Sequence, residues 1–184
     1  RAKESCHLPL VLSKDEIRAL LPEFRGVYEV MARLIYGSGM RHKECRTLRI
    51  KDLYFDTGHI LIRNGKGQKD RITVLPKSIS DSLRHVVEDA KKLHRQDLQN
   101  GFGSVYLPFA LGRKYPNADR ETAWQYVFPS RQLSKDPRSG IIRRHHIHEK
   151  TFAQAMRNAL AMAAIDSRTY LLAQMSDGLT RVEG

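Results

Sequence analysis

The chain has 184 residues, 41% of them hydrophobic and 28% charged, a balance that excludes a disordered or fibrous polymer and predicts one globular domain or a fragment of a larger protein. No stretch approaches the roughly 18 uncharged apolar residues of a membrane-spanning helix, and residues 1–7 lack the apolar core of a signal peptide. The 32 Lys and Arg residues exceed the 20 Asp and Glu residues by 12, which predicts a polyanionic partner, DNA or RNA, unless the basic surface is inert.

The N-terminal quarter of the chain predicts three helices. A first helix begins near Ser13, because Ser13-Lys14-Asp15-Glu16 matches a capping box. A second helix over about 25–36 is indicated by apolar residues at helical spacing and ends at Gly37-Ser38-Gly39. A short third helix is expected over about 41–48.

The middle of the chain predicts a hairpin and a long helix. Residues 59–63 and 71–75 are expected to form two strands with a basic tip between them, since Asn64-Gly65 is a turn signal. The helix is expected from Ser78 to about Gln99. Its apolar stripe consists of Ile79, Leu83, Val86, Val87, Ala90, Leu93 and Leu98.

The remainder predicts a folded segment and a further helix. Residues 101–142 hold most of the aromatic residues with little periodicity, which indicates a folded insertion, and helical spacing returns over Glu149 to Ile165. The elements together predict an α+β fold that is mostly helical with a small antiparallel hairpin or sheet.

Three parts of the chain carry specific motifs. The first arginine box of the tyrosine recombinases resembles Tyr36-Gly37-Ser38-Gly39-Met40-Arg41-His42-Lys43-Glu44 followed by Leu48-Arg49-Ile50-Lys51-Asp52-Leu53. The lysine-bearing hairpin of that family resembles Gly65-Lys66-Gly67-Gln68-Lys69-Asp70-Arg71. The insertion of the integron integrases resembles Lys114-Tyr115-Pro116-Asn117-Ala118, Trp124-Gln125-Tyr126-Val127-Phe128-Pro129-Ser130, Asp136-Pro137-Arg138-Ser139 and Arg143-Arg144-His145-His146.

This resemblance implies a domain organisation and a reaction. Residues 8–165 are expected to be part of a recombinase catalytic domain with an insertion at about 101–148, and residues 166–184 a divergent tail. The family performs site-specific DNA recombination and integration through a 3′-phosphotyrosine, without a cofactor. The two cysteines, far apart and in no metal-type pair, suit reduced thiols in a cytoplasmic protein. The resemblance implies a protein that binds DNA, including folded single-stranded cassette recombination sites, and leaves open whether it forms a homo-oligomer on that DNA.

The expected chemistry explains the charged residues of these boxes. Phosphodiester exchange passes through a pentacovalent phosphate, which requires fixed cations at its non-bridging oxygens and a proton donor for the leaving oxygen. Arg41 is expected to supply the planar cation, unless it is an arginine on a solvated surface, and Glu44 to orient it. By resemblance Lys66 is the leaving-group acid, the alternative being a tip lysine that only meets phosphates. Lys69 and Arg71 are expected to clamp the DNA backbone.

The insertion suggests a second binding function. By resemblance Trp124, Pro137, His145 and His146 grip a base that projects from an imperfect duplex, with Arg143 and Arg144 as further DNA contacts. The alternative for Trp124 is an anchor in a small aromatic core. No metal site is expected, because adjacent histidines point apart in a strand and Cys6 and Cys45 form no metal-type pair.

The second half of the family's active site has no match in the printed sequence. None of the eight histidines has an arginine three residues later, and Tyr170, the one tyrosine after residue 165, precedes any place for that arginine. We therefore expect a truncated, DNA-binding recombinase fragment that is inactive alone. The alternatives are a non-catalytic or decoy DNA-binding protein from a truncated gene, and an enzyme completed in trans by another polypeptide.

Overall fold

The computed structural model describes residues 12–63, 70–107 and 109–165, so Cys6, the predicted hairpin tip and the predicted tail lie outside the described residues. The described ranges form an α+β fold of helices and two small antiparallel sheets, which confirms the predicted class. The helices are α1 (Lys14–Leu20), α2 (Val27–Ser38), α3 (His42–Arg46), α4 (Ser80–Gln99), α5 (Phe109–Lys114) and α6 (Glu149–Met162). The strands are β1 (Leu53–Tyr54), β2 (His59–Ile62), β3 (Arg71–Val74), β4 (Pro129–Lys135) and β5 (Ile142–His146). Among the helices of these ranges, none has the length and apolar character needed to cross a bilayer.

The first two helices begin and end close to their sequence signals. The Ser13 hydroxyl accepts a hydrogen bond from the Glu16 amide at 3.2 Å, and the Glu16 carboxylate accepts one from the Ser13 amide at 2.7 Å. Helix α2 continues through Gly37, where a Cβ atom would lie only 2.5 Å from Pro76 Cγ, and it ends at Gly39 with φ of +64°. Glycine is therefore required at one position for close packing and at the other for the left-handed cap.

The predicted hairpin is confirmed and gains a third strand. Strands β2 and β3 pair antiparallel, and the two-residue strand β1, which the sequence does not predict, pairs with the other edge of β2. Ile60 and Ile62 of β2 are buried in the main core, whereas Ile72 and Val74 of β3 are exposed. The Thr73 hydroxyl donates a 2.6 Å hydrogen bond to the Ser38 carbonyl, which ties the sheet to the end of α2.

The long helix α4 follows the predicted apolar stripe only in its first half. Leu83, Val87 and Ala90 are buried, but further along the buried residues are His94 and Asp97, while Leu98 is 39% exposed. The prediction for Leu98 is therefore wrong. The polar side chains are buried because the 101–148 segment offers them partners, including the Arg120 carbonyl at 2.9 Å from His94 Nε2.

The 101–148 segment is folded, as expected, and contains regular elements that its sequence does not reveal. Strands β4 and β5 form a second hairpin, closed at its base by a 2.9 Å hydrogen bond from the Ile147 amide to the Phe128 carbonyl. Val127, Phe128 and Ile147 belong to the main core. A separate small cluster consists of Val105, Leu107, Ala118 and Tyr126, with Trp124 packed against it.

A buried ion pair joins α4 to the second hairpin. The guanidinium of Arg144 binds the Asp97 carboxylate through Nε and Nη2, the latter at 2.7 Å, and its Nη1 donates to the carbonyls of Ser130 and Arg131 at 2.8 and 2.9 Å. The two side chains are only 12% and 7% exposed. Removing one partner would leave the other charge buried without compensation.

We expect Arg144→Met to lower the free energy of unfolding by about 3–5 kcal/mol, because Asp97 then stays buried and unpaired. Urea denaturation measures the change. The double variant Asp97→Leu with Arg144→Met should recover most of the loss, since both charges are removed together. Arg18→Ala, whose partner Asp15 is solvent-exposed, is the matched control and should have no measurable effect. Equal urea midpoints for Arg144→Met and Arg18→Ala would contradict this role of the ion pair.

Candidate nucleic-acid interface

A cleft of about 730 Å³ lies between α3, the first sheet and the 101–148 segment. It brings together six residues that the sequence singled out for two different functions. These residues are Arg41, Glu44, Trp124, Pro137, His145 and His146. The expected phosphate-binding group and the expected base-gripping group therefore share one cavity.

The Glu44 carboxylate organises the basic side of the cleft. Its Oε1 accepts from Arg41 Nη1 at 2.9 Å, and its Oε2 accepts from the Arg41 amide and from Arg71 Nη2, each at 2.7 Å. Glu44 thus holds two guanidinium groups, one more than the sequence analysis assigned to it. The Arg41 side chain remains 30% exposed, so its remaining donors are available to an anion in the cleft.

The loop that is expected to carry the acid is flanked by two described residues. Lys66 and Lys69 themselves lie outside the described residues. Arg63, at the end of β2, donates to the buried Asp52 carboxylate at 2.8 Å and lies 3.7 Å from Asp70 on the other side of the loop. Arg63 also lines the cleft, and the sequence analysis did not select it. The position of Arg63 in the sequence, between β2 and the predicted basic tip, could have indicated this residue.

The opposite side of the cleft is aromatic. Trp124, Tyr126 and Tyr106 all line it. The guanidinium of Arg49 lies over the Tyr126 ring at 4.6 Å and donates to the backbone carbonyls of Trp124 and Tyr106. Trp124 lines the cleft and also packs against the small core cluster, so it takes part in both of the environments that the sequence allowed for it.

Burial keeps two histidines near the cleft neutral. His146 meets the Tyr126 ring edge-on with 5.2 Å between ring centroids, and burial lowers its pKa. His42, directly after Arg41, stacks on Phe152, and burial together with the nearby charge of Arg46 lowers its pKa to about 4. Near pH 7 both imidazoles are uncharged, so they add ring surface and hydrogen-bonding capacity but no positive charge. Within the described ranges, no three or more histidine, cysteine or carboxylate side chains lie close enough to hold a metal ion.

Some basic residues of the second hairpin lie beside carboxylates within the fold, and another lines the cleft. Arg144 is engaged by Asp97, and Arg143 lies 3.8 Å from Asp136 with its side chain only 12% exposed. Neither arginine lines the described cleft, in contrast to Arg138, which does so with its guanidinium 5.0 Å from the Tyr106 ring centroid. The sequence analysis quoted Arg138 within a motif without assigning it a role. Of these three arginines, the one that lines the cleft is Arg138, at the hairpin turn.

Comparison with known proteins identifies the family to which this chain is related. The model of the phage integrase family matches residues 11–173. An integrase/recombinase of Escherichia coli is 44% identical over 165 residues, which are 90% of this chain and 49% of that protein, and one of Pseudomonas aeruginosa has the same values. The tyrosine recombinase XerA of Thermococcus kodakarensis is 37% identical over 84 residues, covering 44% of this chain and 30% of that protein.

A solved structure shows the same fold. The crystal structure of XerA recombinase matches 90% of this chain and 46% of its own chain, with a TM-score of 0.54 and 21% identity. The chain spans about half the length of the curated integrase/recombinase relatives it matches. The family match over most of the sequence confirms the predicted tyrosine recombinase relationship, and the chain belongs to the phage integrase family.

Proposed function

We propose that this chain is the DNA-binding front part of an integron-integrase-like recombinase catalytic domain that takes part in site-specific DNA recombination. The observation that carries the proposal is the shared cleft, in which Arg41 with its partner Glu44 faces the same space as Trp124 and His146. A phosphodiester and an unstacked base of one DNA site could then be bound together. Residues 8–165 form the partial catalytic domain, 101–148 its integron-type insertion, and 166–184 a divergent tail.

The proposed chemistry assigns each charged group a step. A tyrosine oxygen attacks the phosphorus, the bond to the 5′-oxygen breaks, and a 3′-phosphotyrosine forms. Arg41 neutralises the non-bridging oxygens, and its orientation is held by Glu44. Lys66 donates the proton that the leaving 5′-oxygen takes up. Arg71, Lys69 and Arg138 hold the backbone, and no metal or cofactor is needed.

These residues alone supply only part of that site. The printed sequence has no His-x-x-Arg box, and the curated relatives extend well beyond the matched part. We propose that a polypeptide of these 184 residues binds DNA in the cytoplasm, as one copy in a homo-oligomer, and that strand cleavage requires residues from elsewhere.

We expect DNA affinity to fall steeply with salt, because guanidinium and ammonium groups that contact phosphates release condensed counterions. Fluorescence anisotropy with a short duplex at increasing salt measures the slope. Arg41→Ala and Arg138→Ala should each reduce the slope by about one, and Arg18→Ala, on α1 and outside the cleft lining, should leave it unchanged. An affinity that does not vary between low and moderate salt would contradict the phosphate contacts.

We expect a DNA hairpin with one bulged nucleotide to bind more tightly than the matched hairpin without it, because the bulged base stacks in the cleft. Trp124→Ala should remove this preference, since stacking contributes roughly 1–3 kcal/mol per base. Trp124→Phe keeps an aromatic ring and should retain part of the preference. Tyr115→Ala, which changes an exposed tyrosine outside the cleft lining, should retain the whole preference. Competition anisotropy compares the variants. Loss of the folded circular dichroism spectrum in Trp124→Ala would instead identify Trp124 as a core anchor.

We expect no covalent link between this chain and DNA. Each missing electrostatic group costs on the order of 10²–10³ in rate, and the second arginine, the histidine and a placed nucleophile have no match in these residues. A nicked suicide substrate, incubated with the protein and run on a denaturing gel, gives the readout. A shifted band in the unsubstituted protein that disappears in Tyr170→Phe would make Tyr170 a nucleophile and refute this expectation.

A further inference from the structure

The ring of Trp124 is covered by a lysine that the DNA-binding assignments do not include. Lys51 Nζ lies 3.4 Å from the centroid of the Trp124 ring, a distance typical of a close cation–π contact. Lys51 is half-buried, and burial lowers the pKa of its ammonium group, with Asp52 opposing that effect. The ammonium group is thus directed at the ring instead of at open solvent.

Hydrogen bonds hold the turn that carries Lys51, so the contact with Trp124 does not depend on the flexible lysine side chain alone. The residue lies in the 3₁₀ turn Ile50–Asp52, and the Ile50 amide donates a 3.0 Å hydrogen bond to the Gln125 carbonyl. One residue earlier, Arg49 donates to the Trp124 carbonyl. The turn that carries Lys51 and the turn that carries Trp124 are therefore joined by two hydrogen bonds next to the contact.

The cleft reaches Trp124 but not Lys51. Trp124 is among the lining residues, whereas Lys51 is absent from the lining of the described cleft. Because its ammonium nitrogen lies 3.4 Å from the ring centroid, Lys51 occupies one face of the indole. A base that stacks on Trp124 would then use the opposite face of the ring.

We infer that Lys51 is a positioning residue that closes the rear face of Trp124, so that the ring presents one fixed stacking face to an unstacked nucleobase in the cleft. This inference rests on the proposed function, because the nucleobase is the ligand assigned to that cleft. Lys51 acts through Trp124, in contrast to Lys43, which lines the cleft itself. The two lysines are therefore expected to differ in how their loss affects binding.

The single tryptophan of the chain makes the contact directly measurable. Since Trp124 is the one tryptophan, intrinsic fluorescence reports on this ring alone. In Lys51→Ala we expect the acrylamide quenching constant to rise and the emission to shift to longer wavelength, because a second face becomes accessible. Lys51→Arg retains a cation over the ring and should restore both values. Equal quenching constants in the unsubstituted protein and Lys51→Ala would overturn the inference.

The second measurement compares a hairpin carrying one bulged nucleotide with the same hairpin lacking it. We expect Lys51→Ala to lower the ratio of the two affinities by at least about threefold, because the stacking ring is no longer held. Lys51→Arg should keep the ratio, and Lys43→Ala should weaken both DNAs alike. A ratio unchanged in Lys51→Ala overturns the role of Lys51 alone. A ratio of one in the unsubstituted protein overturns the proposed function, and with it any role of Lys51 toward a base.

Discussion

The cleft depends on a short stretch of backbone pairing between two segments that are distant in sequence. The Val127 amide donates to the Leu48 carbonyl at 2.9 Å and the Ile50 amide to the Gln125 carbonyl at 3.0 Å, so that Arg49 and Tyr126 form an isolated antiparallel bridge. The Arg49 guanidinium then satisfies two more carbonyls of the 101–148 segment. Because each of these groups would be costly to bury unpaired, the bridge holds the aromatic wall beside the helix that follows Arg41.

Electrostatics distinguishes one group of arginines in this basic chain from Arg138. Carboxylates that are almost fully buried engage that group: Glu44 binds Arg71 as well as Arg41, Asp52 binds Arg63 and Asp97 binds Arg144. A buried carboxylate needs a cationic partner, so the arginines it binds have their geometry fixed by the fold. Arg138, at the hairpin turn, instead packs on an aromatic ring in the cleft. A strongly positive net charge alone does not reveal which arginines belong to that group.

Local patterns predicted the elements whose signals are local. The capping box at Ser13, the glycine cap at Gly39 and the alternating strands 59–62 and 71–74 all form as expected, because capping, turn and pleat preferences act over a few residues. Local periodicity did not predict which residues are buried in the second half of α4, since His94 and Asp97 are buried by partners some 25 to 50 residues away. The sequence pattern did not predict strand β4 for a related reason. Its exposed and half-buried residues alternate poorly, and a register irregularity interrupts its pairing with β5.

The sequence by itself determined the family, the α+β class and which residues can take part in the chemistry, because these follow from residue type, spacing and ordered motifs. Only the tertiary structure decided which of them share a site. It placed Arg41, Trp124 and His146 around one cleft, engaged Arg144 in a buried pair and set Lys51 against the Trp124 ring. Such choices depend on which polar groups lose water together when distant segments pack, and a pattern read along one chain does not contain that information.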